Sequence, residues 1–530
     1  MSNDGDVSTI VAPSSVRRPR HLWLAWADLG FIALLSILFL TFLDNTVISA
    51  VLSNVQSQLH SGVSELQWVV GAYALTFAGL MLTCGTLGDN FGRKKLMLIG
   101  VVVFCGGSIV CALAQTSLEL IIGRVIMGVG AAASEPGTLS MIRQIYSNPK
   151  HRSRALGTWV AVSGVALAIG PVLGGVLAGI WSWRAVFWFN LLFGGLAFCA
   201  ASVGLPESSD PSRRPLDFVG FALGAITIGG ATYATIAGET QSYLSSGIIS
   251  LYVLSGVALV AFIFFEHRSS NPLLDLSFFR SPAFSGATFV ALASSFSILS
   301  IFFFVALYLE VVASAGAYQL AQDFLPLLGG MVAASLFSGS WVGRVGPRVP
   351  MMTGCALAAL GVLLTNIQIA PHAGLATVGW TMGIAGVGFG ILAVPVTSTA
   401  LSSVPVTRSG MAASVTNTSR ELGATAAVAI LGSVVNGQLT VQLTKRLIEI
   451  GIPESYRNQV ITAVTTGNFS AQAKALAGKS SAAIRVIINK VVNAAYDAFT
   501  HGLHLALEIS FILLVISAGV SYYTGTTDTN

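Results

Sequence analysis

Two arginines and six carboxylic acids stand in stretches that are otherwise apolar: Arg124 and Arg420 against Asp44, Glu135, Glu310, Asp323, Glu421 and Glu508. A carboxylate in a bilayer costs several kcal/mol if ionised and alone, so each must be paired, protonated or turned to water. With acids in excess, a water-lined pocket between the helices is net acidic. Such a pocket binds protons and lipophilic cations at the same groups, and competition between the two is the chemistry of antiport.

Asp44 lies about seven residues before the outer end of its apolar run, and Arg124 about six after the start of an antiparallel one. The two reach similar depth, which predicts a proton-sensitive contact, with a static structural pair as the alternative. Glu135 follows Arg124 by eleven residues. That is three helical turns, so it shares the face of Arg124 about 16 Å deeper toward the cytosol and is a second protonation candidate. Exchange at either acid requires that it meet an aqueous vestibule. Glu310 and Asp323 flank a short outer loop, Arg420 and Glu421 fall midway through a later run, and Glu508 lies in the last one. These four are expected to line a substrate cavity, and Glu421 joins Asp44, Arg124 and Glu135 as a proton-coupling candidate.

Catalysis is not expected. His267, His372, His501 and His504 fall in loops or at helix ends without a converging nucleophile and base or metal ligands. Cys84, Cys105, Cys111, Cys199 and Cys355 sit in apolar segments with no CxxC, so they read as packing residues and no metal site is assigned.

The elements that position these groups follow from hydropathy. Of 530 residues 54% are hydrophobic and 9% charged, against roughly 25% charged in an ordinary globular domain. Runs long enough for a helix to cross ~30 Å of hydrocarbon fall near 27–51, 65–88, 95–114, 118–142, 154–179, 184–204, 216–237, 246–266, 284–308, 319–343, 349–370, 375–401, 409–434 and 500–523, fourteen in all. Seventeen of the 27 Lys and Arg residues fall in the N-terminal tail and alternate loops, and the six short loops on the other face carry none. The positive-inside rule then places both termini in the cytoplasm and the chain, multi-pass, in the inner (plasma) membrane of the cell. The first run is too long for a cleaved signal and remains as a span. No basic stretch is interleaved with exposed aromatics, so no nucleic-acid partner is expected. Ile484, Ile487, Ile488 and Val491 keep helical spacing in the long outer segment, which reads either as an amphipathic hairpin over the outer mouth or as a solvated linker.

The sequence repeats. Gly85-Thr-Leu-Gly-Asp89-Asn-Phe-Gly92-Arg93-Lys94 matches Gly339-Ser-Trp-Val-Gly343-Arg-Val-Gly346-Pro-Arg348 at an offset of 254, and Gly128-Val-Gly130 with Pro136 matches Gly386-Val-Gly388 with Pro395 at 258. Two six-helix halves separated by two inserted helices account for both offsets. Repeated halves are how many secondary transporters are built, with the site between them near the midplane.

These residues resemble the major facilitator superfamily and, within it, the fourteen-span drug:proton antiporters of bacterial multidrug and antibiotic export. The resemblance covers the whole chain. Gly85, Asp89, Gly92, Arg93 and Lys94 match the superfamily signature between spans two and three, with Asn90 where a basic residue is frequent; the resemblance makes them a conformational latch. Asp89 at a helix end could pair with a cation or cap a neighbouring helix. Gly164, Gly170, Pro171, Gly174, Gly175 and Gly179 resemble the motif of exporters; such glycines allow close helix approach and the proline allows a bend. Leu43-Asp44-Asn45-Thr46-Val47 is similar to the first-span motif, with Ser53 where proline is usual. Gly123-Arg124 through Gly130 is similar to the fourth-span motif, with Met127 for a frequent glutamine. Glu310 and Glu421 stand where the family usually has glutamine, and either tune substrate charge or are solvated.

The expected fold is all-α and integral to the membrane: a cytoplasmic tail at 1–26, a six-helix bundle at 27–204, two inserted helices and a linker at 205–283, and a second bundle at 284–523 that includes a long extracellular loop at about 438–499. Residues 524–530 form a second tail. The expected activity is proton-coupled efflux of amphipathic, cationic drugs or antibiotics by alternating access, and the alternative is export of a lipid, siderophore or other natural product. The partners are the small-molecule substrate, protons and membrane lipids. The protein is expected to work as a monomer, with no cofactor and the proton motive force as its energy source.

Overall fold

A computed structural model describes residues 20–61, 63–208, 217–269, 272, 274–311, 317–369, 375–465 and 482–524. Among the described residues there is no strand, and fourteen long helices form the molecule. We label them α1 Arg20–Val47, α2 Val63–Phe91, α3 Arg93–Leu113, α4 Ser117–Ile145, α5 Pro149–Ile180, α6 Ala185–Gly204, α7 Phe218–Gln241, α8 Ser246–Arg268, α9 Pro282–Ser300, α10 Ala317–Val345, α11 Arg348–Gln368, α12 Leu375–Ser402, α13 Ser409–Glu449 and α14 Ala482–Thr524. α9 continues through a π-helical turn, Ile301–Val305, into Ala306–Val311.

Thirteen of these are each long and apolar enough to cross a bilayer. The remaining one, α5, spans as two segments, Pro149–Leu167 and Val172–Ile180, bent by 44°. The bend falls at Gly170-Pro171, where the proline nitrogen has no hydrogen to give the preceding turn. The chain is thus a multi-pass membrane protein. Many side chains that no helix covers are apolar, such as Val253, Val257, Val260 and Phe264 on α8, because lipid rather than water meets them.

The short connections are closed by side-chain caps. Thr116 accepts from Glu119 N at the start of α4, Asn148 from Lys150 N at α5, Asp217 from Gly220 N at α7, and Ser245 from Ile248 N at α8. Each satisfies one backbone donor that the helix itself cannot.

The repeat is visible in the packing. In the first half, a Cβ on Gly130 of α4 would strike the α3 backbone at Phe104; in the second, a Cβ on Gly388 of α12 would strike the α11 backbone at Ala358. The turns after α2 and α10 are each made by a glycine in the left-handed region, Gly92 at φ 112° and Gly346 at φ 80°. α7 and α8 pack on one another, and α7 lies along α2, where Gly79 and Gly229 touch, and also reaches α13.

α13 and α14 run for 41 and 43 residues. At 1.5 Å per residue each is about 60 Å long, roughly twice the hydrocarbon thickness. The described part of 438–499 is accordingly helical: the end of α13, a helix Glu454–Thr465 and the start of α14. Leu443, Leu447, Val491, Ala494 and Ala498 bury the paired extensions in the second-half core; residues 466–481 lie outside the described ones.

The halves meet along two seams, α2 on α13 and α5 on α10. Gly85 abuts Gly410 and Ser414, Gly157 abuts Ser335, Gly164 abuts Met331, and Gly339 abuts Ser153. The Gly164 contact lies at mid-helix and the other three lie toward the basic loops, so that end is closed.

Candidate functional site

Asp44 and Arg124 meet as the depth argument expects. The Arg124 Nη1 forms an ion pair with Asp44 Oδ2, and its Nε donates to Val69 O at 2.9 Å. Asn190 of α6 donates to Asp44 Oδ1 at 2.8 Å, and the guanidinium lies 4.4 Å from the centre of the Tyr73 ring. Asp44 is 0% exposed and Arg124 1%. Every one of these partners belongs to the first half. The expectation that Asp44 meets an aqueous vestibule is therefore corrected: α1, α2, α4 and α6 close around it, and no movement of one half against the other separates its bonds.

Glu135 is equally buried, 1% exposed, yet its surroundings differ in kind. Asn417 of α13 reaches across the seam and donates to both carboxylate oxygens, at 3.0 and 2.8 Å. Arg420 steadies that amide from one turn on, donating to Asn417 Oδ1 at 2.9 Å, and also to Thr397 of α12 at 2.6 Å. Half-buried Glu421 lies within electrostatic reach of Arg420, Glu135 and Tyr73. Beneath Glu135, its own carbonyl accepts from Thr138, whose hydroxyl in turn accepts from Trp159 Nε1 at 3.0 Å. Glu135, Arg420 and Glu421 are thus brought together where the halves touch.

Asp323 and Glu508 do not join them. Asp323 sits half-buried near the start of α10, with Oδ2 unpartnered among the described residues. Glu508 is on an exposed face of α14, beside His504, which bonds Asn366 at 2.7 Å. The side chain of Glu310 lies outside the described residues. A single pocket of six acids is not what the fold assembles, because helical phase turns Asp44 inward within one bundle and Glu508 outward from the other.

The latch residues do bridge the halves. Asp89 accepts from Arg93 Nε at 2.8 Å and Nη2 at 2.6 Å, and from the backbone N–H groups of Gly410 and Met411 at 3.0 and 2.9 Å. It therefore caps the first turn of α13, where the helix dipole favours a negative charge. Arg93 also donates to Val406 O and Thr407 O, both at 3.1 Å. Gly85 lets the backbones touch, since a Cβ there would lie 2.7 Å from Gly410 O. Lys94 turns away, its Nζ donating to Ser202 O at 2.6 Å, while Glu207 accepts from Lys94 N and Lys95 N and so caps α3. Across the same face Arg143 donates to Val404 O at 2.7 Å, and Arg408 pairs with Asp275 of the linker.

Of the exporter-type glycines, Gly164 packs on Met331 and Val332 of α10, whereas Gly170 and Gly174 pack on Thr46 and Val47 of α1. A Cβ added at Gly175 or Gly179 would meet nothing within 4 Å among the described residues, so neither marks a close helix approach. The side chain of Pro171 is not among the described ones.

Sequence reasoning missed Asn417, Asn190, Tyr73, Trp159 and Thr397. Asn417 had a readable signal, since it lies one turn before Arg420 on the same face of α13. Asn190 and Tyr73 carried none, for a polar residue in a span does not say which neighbour it will meet.

Buried acids at the contact between two repeated helical halves define the architecture of a secondary transporter. The family model of the Major Facilitator Superfamily matches residues 34–428. The chain belongs to that superfamily. It is 30% identical over 479 residues to the Multidrug resistance protein Stp of Mycobacterium tuberculosis, covering 90% of this chain and 88% of that one. It is also 30% identical over 482 residues to the Drug efflux pump JefA of the same species, covering 90% and 94%. A solved bacterial homolog of the human lysosomal transporter Spinster, inward-facing and unoccupied, superposes with a TM-score of 0.57 at 18% identity over 94% of this chain and 97% of that one. That likeness bears on the fold alone.

Proposed function

We propose that the protein exports amphipathic, cationic drugs or antibiotics across the cytoplasmic membrane in exchange for protons, by alternating access. The single observation that carries this reading is the Glu135–Asn417 contact, a buried carboxylate whose seal is supplied by the opposite half. Opening the seam removes that seal and exposes Glu135 to water on the side of the basic loops, which the positive-inside rule assigns to the cytosol. There the proton leaves and a cationic cargo takes its place; the two cannot occupy one carboxylate together. Glu421, still half-exposed when the seam is closed, is the acid that meets outer water first. Asp44 and Arg124 hold the first half together and do not exchange.

Relatives named for multidrug resistance and drug efflux support the substrate class. Both termini lie on the cytosolic side in this reading, and the state described is closed to the cytosol. The driving force is adequate, at ~2.3 kcal/mol per proton per 100 mV. Proteoliposomes loaded with the fluorescent cation ethidium test it. An imposed proton gradient should accelerate ethidium movement in the wild type, and Glu135→Gln should abolish the acceleration while leaving downhill exchange. A wild type indifferent to the gradient, or a Glu135→Gln variant that responds like it, refutes the coupling.

A further inference from the structure

The two seams are related by the internal repeat, and one of them lacks its anion. At the first, Gly85 packs on α13 and Asp89 brings a carboxylate to the α13 N-terminus. At the second, Gly339 packs on Ser153 and Arg154 of α5 in the same manner, but the counterpart of Asp89 is Gly343, which lies against Lys150. The first turn of α5 contains no acid, although Lys150 and Arg152 stand there. Cations at a helix N-terminus oppose the dipole, which favours a negative group at that end.

Within electrostatic reach of Arg152 in this turn is Arg143, at the end of α4 and 9% exposed. Its Nη2 is used by Val404 O across the halves. Its Nε and Nη1 have no hydrogen-bond partner among the described residues, and neither has the buried Nε of Arg152. The charges that act on Arg143 are those of Arg152 and Arg93, both cations. Arg93 has its own donors engaged by Asp89, Gln144, Ser208, Val406 and Thr407. Arg143 and Arg152 therefore present unused donors beside a helix start that holds the neutral cap Asn148 and no acid, the arrangement that binds tetrahedral oxyanions.

We infer that Arg143 and Arg152 bind a phosphate oxyanion, carried by a phospholipid headgroup or as free phosphate, which brings to the start of α5 the negative charge that Asp89 brings to α13. Because Arg143 also grips Val404 of the second half, the bound anion stabilises the closed seam. Only the leaflet that supplies the lipid rests on the cytosolic assignment above; the site itself does not.

The full-length protein purified in detergent is titrated with sodium phosphate against sodium chloride at equal ionic strength, and its thermal unfolding followed. In parallel, native mass spectrometry counts phosphatidylglycerol retained against phosphatidylcholine. A rise in midpoint with phosphate assigns a free-phosphate site, and selective retention of phosphatidylglycerol a headgroup site. In either arm Arg152→Gln should weaken binding about fivefold, the order expected for one basic residue at a phosphate, and Arg143→Gln at least as much. Arg154→Gln, at an exposed position two residues further along α5, should leave it unchanged. No effect of phosphate together with no lipid preference overturns the inference, as does an Arg152→Gln variant that binds like the wild type. Neither result bears on proton coupling, which is read by ethidium transport.

Discussion

Asp44 and Glu135 are buried to the same degree, 0% and 1% exposed, and differ in what buries them. Asp44 is held by Arg124 and Asn190, which move with it as one body. Glu135 is held by Asn417, which belongs to the other body. Burial alone therefore does not mark a working acid. What matters is whether the bonds that seal it lie across the surface along which the molecule comes apart.

The largest test of that contrast is Asp44→Asn, which leaves the Arg124 guanidinium buried and uncompensated. It should cost about 3–5 kcal/mol, read as a lowered thermal midpoint, with transport falling in proportion to folded protein. The repeat suggests the rescue: at an offset of 258 the second half has Met382 where the first has Arg124, and Met382 is a 1% exposed core residue. The pair Asp44→Ser with Arg124→Met should recover most of the loss, since removing both charges of a buried ion pair leaves neither uncompensated.

Glu135→Gln should do the reverse. The amide is isosteric and keeps contact with Asn417, so the midpoint should hold within about 1 kcal/mol. The accumulation driven by 100 mV should fall by roughly 50-fold per proton lost from the cycle. A variant that loses stability and keeps accumulation would exchange the roles assigned to the two acids.

Asp89→Asn removes the charge that caps α13 and pairs with Arg93, and should shift the balance toward the open seam by about tenfold. Spin-label distances between the α2–α3 and α10–α11 loops would report the shift. The smallest effect is at Asp275, in the linker. Partial burial raises its carboxyl, but hydrogen bonds from Ser277 and the Arg408 guanidinium outweigh this and hold it below the ordinary value. A depressed carboxyl contributes stability above its unfolded value of about 3.9 and loses it as pH falls through the folded one. The stability difference between wild type and Asp275→Asn should thus be constant above about pH 5 and shrink below about pH 4; a difference that grows on acidification contradicts the pairing.

Much of the fold was legible because bilayer crossing imposes one length and one polarity on every span, and Gly85–Lys94 with its repeat at Gly339–Arg348 marked the two halves. The Asp44–Arg124 pair was legible too, since antiparallel spans of known ends fix depth. Asn417 was not, because the register between α4 and α13 depends on packing between halves, which no local pattern encodes. Nor was the helical character of α13 beyond the bilayer: residues such as Lys445 and Arg446 read as loop by polarity, yet Leu443 and Leu447 on the same stretch bury against α14.

The amino-acid order by itself settled how many times the chain crosses the membrane, the two-fold plan, and which ionisable groups lie within hydrocarbon, because lipid tolerates only helices of sufficient length with few charges. Which of those groups can change partners was decided by tertiary structure. A side chain's depth follows from its place along a helix, but its partner follows from the rotation of that helix against its neighbours, and only the assembled bundle fixes that angle.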